Sequence, residues 1–142
     1  MQSININDNK IYLCINDDET KVIAFDPNDV GFVSRYYDFL DYLNQKEAGY
    51  LNEAKSIDES NESETKKTKR ITKLLANMCN DVKEQLDIVF GRGTMDRIFG
   101  DVLRPDMFRE LLMGIAPYIN AARNSKIKKY CDKDENLQGV ME

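Results

Sequence analysis

The chain has 142 residues, of which 42% are hydrophobic and 32% charged, and its formal net charge is -5. This length fits one domain, and the composition is typical of a globular protein rather than of a disordered one. Histidine is absent, which excludes Ser-His-Asp and Cys-His catalysis and every zinc site that contains histidine.

Short apolar or alternating runs near the N-terminus predict β-strands at 3–7, 11–15 and 21–26. The polar segment 16–19 between the second and third runs predicts a turn. Because short strands alone are marginal in water, we expect a small antiparallel β-hairpin or meander that packs on helices.

The first helix is predicted to begin within 26–29, where Pro27 suits a first turn and the neighbouring Asp and Asn side chains suit an N-cap. Two apolar rows follow at helical spacing and give a broad face, which favours a central helix over one with a row free for a partner. The rows are Val30, Val33, Tyr37 and Leu40, and Phe32, Tyr36, Phe39 and Leu43.

Over residues 45–65 the apolar pattern thins, and Glu, Ser and Asn accumulate. This composition indicates either a mobile loop or a polar continuation of the helix. Charge alternates along the chain: an acidic run at 57–64 precedes a basic run at 66–73, and a basic run at 123–129 precedes an acidic tail. We predict that this tail, 132–142, is disordered. Such alternation is typical of solvated helix faces, so nucleic-acid binding is disfavoured.

Residues 71–90 carry the clearest helical pattern of the chain, with apolar side chains at i, i+3, i+4 and i+7. We predict a helix over most of 70–90 that ends at Gly91. Its core-facing stripe is expected to bury Leu75, Val82, Leu86 and Val89.

The glycine-rich segment that follows predicts a tight connection between helices. Gly91 and Gly93 permit positive φ, Thr94 is expected to cap a short helix at 95–99, and Gly100 ends that helix. A last helix begins at Pro105, and Pro117 is expected to break or kink it.

No pattern in the glycine segment indicates an active site. It lacks the Lys-Ser/Thr pair of a phosphate-binding loop and follows a helix rather than a strand. Asp96, Asp101, Asp106 and Glu110 share no metal-binding motif, and the interleaved arginines favour surface ion pairs. We therefore predict no enzymatic activity and no catalytic, cofactor-binding or metal-binding residues.

No apolar run approaches the roughly 18 residues of a membrane span, and the first ten residues lack the apolar core of a secretory signal. Cys14, Cys79 and Cys131 are far apart and form no CxxC pair, which is typical of reduced thiols. These features predict a cytoplasmic protein without membrane association. The predicted fold is α+β: a mainly α-helical bundle with a small N-terminal hairpin or meander, in one domain, 1–131.

Two segments carry a family resemblance: FDPNDVGFVSRYYDFLDYL at 25–43 and FGRGTMDRIFGDVLRPDMFRELLMGIAPYI at 90–119. Together they resemble tail assembly chaperones of long-tailed, siphovirus-type bacteriophages and prophages of Gram-positive bacteria, with similarity over residues 20–130. The resemblance implies a small protein of the host cytoplasm, absent from the virion, that binds tape-measure protein and tail tube protein. It carries over no functional residues.

A partner surface is expected where apolar stripes exceed what a core of this size needs. Two other functions stay open: a virion component, such as a head–tail connector or minor tail protein, and a small nucleic-acid-binding regulator that uses the lysines of 66–73 and 126–129. A homo-oligomer also stays open. The candidate partner-binding residues are Phe32, Tyr36, Phe99, Met107 and Phe108.

Overall fold

A computed structural model describes the backbone of residues 1–141, with side chains through Lys126 and at Lys128. Two antiparallel strands precede four helices, which confirms the predicted α+β, mainly helical class. The elements are β1 (Ile11–Ile15), β2 (Asp18–Phe25), α1 (Val30–Asp58), α2 (Glu64–Phe90), α3 (Thr94–Phe99) and α4 (Pro105–Met141).

The two strands form a hairpin in which Ile11 lies opposite Phe25 and Leu13 opposite Ile23. Both turn residues, Asn16 and Asp17, have positive φ, the geometry that matches the twist of a tight hairpin. The predicted strand at 3–7 is not formed. Its alternating isoleucines are exposed and have no apolar surface to pack on, so the sheet is a two-stranded hairpin rather than a meander.

α1 begins where the sequence predicted, because the Asp29 carboxylate accepts a hydrogen bond of 2.9 Å from the Gly31 amide. The helix continues to Asp58, so residues 45–58 are helical, the second of the two alternatives for 45–65. The chain then turns at 59–63, and the Ser63 hydroxyl caps α2 by accepting from the Lys66 amide.

The core lies where β2, α1, α2, α3 and the first part of α4 meet. Val82, Leu86 and Val89 of α2 are buried, as predicted, and the buried Ile23 and Phe25 of β2 pack in the same cluster. The prediction for Leu75 is wrong, since 43% of this residue is exposed. Leu75 instead lines an apolar groove that α1, α2 and the first residues of α4 leave open.

The connection from α2 to α3 depends on one carboxylate. Asp87 accepts hydrogen bonds from the amides of Gly93 (3.2 Å) and Met95 (2.9 Å), at the start of α3. Thr94 is therefore the first residue of α3 rather than its cap, and its hydroxyl donates to the Phe90 carbonyl. Gly91 and Gly93 have positive φ, as the sequence predicted, and Gly100, which ends α3, also has positive φ.

α4 runs through Pro117 without a break. Of the predicted break or kink, the break does not occur, since Ile115 and Ile119 on either side of the proline are both buried in the core; the kink stays a prediction. The Lys126 ammonium also donates to the Asn28 carbonyl, which ties α4 to the start of α1. The backbone of 132–141 belongs to α4, the side chains of this tail lie outside the described residues, and its predicted disorder in solution stays a prediction. Within the described chain, no helix is both long enough and apolar enough to cross a membrane.

Candidate protein-binding groove

An apolar groove of about 600 Å³ lies between α1, α2 and the start of α4. Residues 43–54 of α1 form one wall, residues 71–82 of α2 another, and Pro105 to Met113 of α4 close one end. The groove exists because α1 and α2 pair along its length, whereas α4 contributes only its first residues, Pro105 to Met113.

The floor of the groove belongs to the core, and its rim does not. Phe39, Val82 and Phe108 line it from below and are buried. At the rim Leu51 is 62% exposed and Met113 64% exposed, beside the partly exposed Leu75. Apolar side chains gathered at an open concave surface are typical of a site that another molecule covers.

One hydrogen bond joins the two long walls. The Tyr50 hydroxyl of α1 donates to the Asp81 carboxylate of α2 over 3.1 Å. Burial raises the pKa of Tyr50, and the bond to Asp81 raises this pKa further, so the phenol stays neutral at all physiological pH values. The bond links α1 and α2 beside the apolar lining.

Three charged side chains line the groove: Lys46 and Glu47 on α1 and Arg109 on α4. Among the described side chains, neither Lys46 nor Arg109 forms an ion pair. The lining therefore carries two cations and one carboxylate, and the Asp81 carboxylate lies beside it, bonded to Tyr50.

The structure buries most of the predicted partner-binding residues. Phe32, Tyr36 and Phe108 are buried, and Phe99 and Met107 are half-buried. Phe32 stacks on Phe25 of β2 with ring centroids 5.5 Å apart, so the hairpin covers the row of α1 that was expected to be in surplus. Phe32, Tyr36 and Phe108 are therefore covered, and of the five candidates Phe108 lines the groove; partner binding by these residues stays a prediction.

The exposed lining was missed from sequence. Beyond the predicted row that ends at Leu43, the groove residue Tyr50 and the buried Ile57 follow at seven-residue spacing and continue the apolar face of α1 through 45–58. The polar residues between these positions obscure the seven-residue repeat in the sequence. Leu75 was recognised as apolar but assigned to the core.

A second, polar cleft lies between α2 and α3, and it is structural. The Lys83 ammonium lies 2.7 Å from the Asp96 carboxylate and donates to the Gly100 carbonyl over 2.9 Å. Asp87 in the same cleft is occupied by the amides of α3. Within the residues that the structure describes, no three potential metal ligands cluster. Asp106 pairs with Arg104, which holds the pKa of Asp106 below its usual value.

The chain is a small helical domain in which a two-stranded hairpin packs on a helical bundle. Its polar cleft is structural, and its candidate site is the open apolar groove, a surface suited to binding another protein. The chain belongs to the family of unknown function DUF6673, whose sequence profile matches residues 16–138. No curated protein and no solved structure matches the chain. The family match includes every residue of the groove.

Proposed function

We propose that this protein is a non-enzymatic tail assembly chaperone, which binds tape-measure protein and tail tube subunits during phage tail morphogenesis in the host cytoplasm. The groove between α1, α2 and α4 is the observation that carries the proposal. The resemblance of 25–43 and 90–119 to such chaperones supports it and supplies the identity of the clients.

The groove has the properties that this task requires. A chaperone for an apolar helical client needs an apolar surface that is open before the client arrives, on a protein that stays soluble by its charge. Met78 and Met113 contribute flexible side chains to the lining, and methionine adapts readily to different partner side chains. The net charge of -5 keeps individual chains apart while the groove is empty.

The basic run at 66–73 gives little support to the nucleic-acid alternative. Lys67 lies 3.6 Å from Glu64, and Arg70 lies 2.8 Å from Glu62, so part of its charge is compensated within the protein. A virion component would be present in finished particles, whereas a chaperone would be absent from them.

Co-expression with the tape-measure and tail tube genes of the same phage or prophage tests the proposal. We expect the tagged protein to copurify with a tape-measure fragment or tail tube protein, and to be absent from purified particles by mass spectrometry. Its presence in particles would assign it to the virion instead. If neither component copurifies, the chaperone function is wrong. Salt-sensitive retention of DNA without either component would favour the regulator, since phosphate contacts weaken steeply with salt.

The buried Tyr36 and Phe108 are unsuitable as binding variants, because their truncation would disturb folding. Leu75→Ser is the better probe, with Ile88→Ser as its control, since Ile88 is 61% exposed on the same helix but lies outside the groove. We expect Leu75→Ser to reduce copurification and Ile88→Ser to leave it unchanged.

A further inference from the structure

The shape of the groove restricts what it can hold. Eleven residue steps separate the ends of each long wall, 43–54 on α1 and 71–82 on α2, which corresponds to about 16 Å or three helical turns. The groove is therefore elongated, and its rim is open along this length at Leu51, Leu75 and Met113.

The walls decide between an extended and a helical occupant. A bound strand gains most of its affinity from backbone hydrogen bonds to a sheet edge. Here every wall is an α-helix, whose backbone groups bond within the helix. An extended segment bound here would lose the hydrogen bonds of its backbone to water and gain no hydrogen bonds from the groove in return. A helix brings its backbone already satisfied and needs only an apolar stripe.

Charge restricts the occupant further. Lys46 on α1 and Arg109 on α4 flank the apolar lining without an ion-pair partner among the described side chains. Glu47 also lines the groove and Asp81 accepts from Tyr50 beside it, but among the described side chains neither carboxylate forms an ion pair with Lys46 or Arg109. An occupant with carboxylates beside its apolar stripe satisfies both cations, whereas lysines in those positions would face them with like charge.

We infer that the groove binds a single amphipathic α-helix of about three turns, whose apolar stripe is flanked by carboxylates that Lys46 and Arg109 pair with. This inference rests on the proposed function only for the class of client. It adds the conformation of the bound segment, its charge pattern and the two cations that select it.

Fluorescence anisotropy with synthetic peptides tests the inference without any phage component. The probe is a fluorescein-labelled peptide of about 18 residues, with leucines at i, i+3, i+4, i+7 and i+11 and glutamates at the flanking positions. One matched peptide carries lysines in place of the glutamates, and another carries two central prolines that prevent a helix. We expect saturable binding of the acidic helix, at least about fivefold weaker binding of the basic one, and none of the proline peptide.

Variants connect the binding to the groove. Leu51→Ala with Leu75→Ala should weaken binding of the acidic peptide about tenfold or more, whereas Ile88→Ala should not change it. Lys46→Glu with Arg109→Glu should reverse the preference toward the basic peptide. Lys73→Glu, a charge change on α2 outside the groove lining, should leave the preference as it is.

Four results would overturn the inference, three of them in the peptide and variant assays. The first is equal binding of the helical and proline peptides, and the second is an unchanged charge preference in the Lys46/Arg109 variant. The third is failure of every peptide while Leu75→Ala abolishes self-association in gel filtration, which would assign the groove to a second copy of this chain. Peptide binding without copurification of a tail component would leave the helix site standing and remove only the chaperone function. Copurification without peptide binding would remove the helix site and leave the chaperone function standing.

Discussion

Truncating two leucines of the same helix should separate the core from the groove. Leu86 is 0% exposed inside the core cluster, so Leu86→Ala removes buried carbons and leaves a cavity, at a cost of about 3–5 kcal/mol. Leu75 keeps 43% of its surface in water, and its truncation leaves no enclosed cavity. With about 0.8 kcal/mol per buried methylene and about half of the side chain covered, Leu75→Ala should cost about 1 kcal/mol.

Thermal and denaturant unfolding, followed by circular dichroism, measure the difference. An unfolding entropy of about 2.1 cal/mol/K per residue makes each kcal/mol worth roughly 3 °C in a chain of this length. We expect Leu86→Ala to lower Tm by roughly 10 °C or more and Leu75→Ala by roughly 3 °C. Only the Leu75 variant should also lose binding of the acidic peptide. Equal destabilisation by both truncations would refute the reasoning, because Leu75 would then be as well covered as the core.

Two further predictions concern the α2–α3 connection and the cysteines. Asp87→Ala should destabilise the protein by about 1–3 kcal/mol in denaturant unfolding, because the amides of Gly93 and Met95 lose their acceptor. Glu84→Ala in the same cleft is the control, and an equal effect would contradict the role of Asp87. In a Cys131→Ser background a thiol reagent should label the exposed Cys14 at once and the buried Cys79 only on unfolding, since burial raises the pKa of Cys79 and keeps the thiol protonated. Rapid labelling of both thiols in the folded protein would contradict this burial.

Local signals made much of the fold predictable. Asp29 and Gly91 mark the start of α1 and the end of α2, because N-caps and glycines with positive φ act through their immediate neighbours. The burial of Leu86 and Val89 followed from helical periodicity alone. Pro117 shows the limit of such rules, since core packing of the flanking isoleucines outweighs its local preference.

The candidate site could not be predicted to the same degree, because it depends on contacts between distant segments. Phe32 is covered by β2, and nothing in the sequence of α1 indicates where the hairpin will lie. The exposure of Leu75 depends on where α4 begins along α2, which the apolar spacing of α2 does not encode. Phe32 and Leu75 both lie on apolar stripes at helical spacing. Only the tertiary arrangement decides that Phe32 is buried and that Leu75 is partly exposed.

The glycine segment that stands out in the sequence has its consequence at the groove, although its glycines lie outside the lining. Asp87 fixes the start of α3, Arg97 of α3 donates to the Val22 carbonyl of β2 over 3.0 Å, and Gly100 ends the helix with positive φ. These contacts fix the connection that leads into α4 at Pro105. If α4 began further along α1 and α2, toward the turn at 59–63, its apolar stripe would lie over Leu51 and Leu75 and narrow the groove. The connection 91–105 therefore positions α4 so that the groove stays open, which is why a segment without chemistry of its own bears on binding.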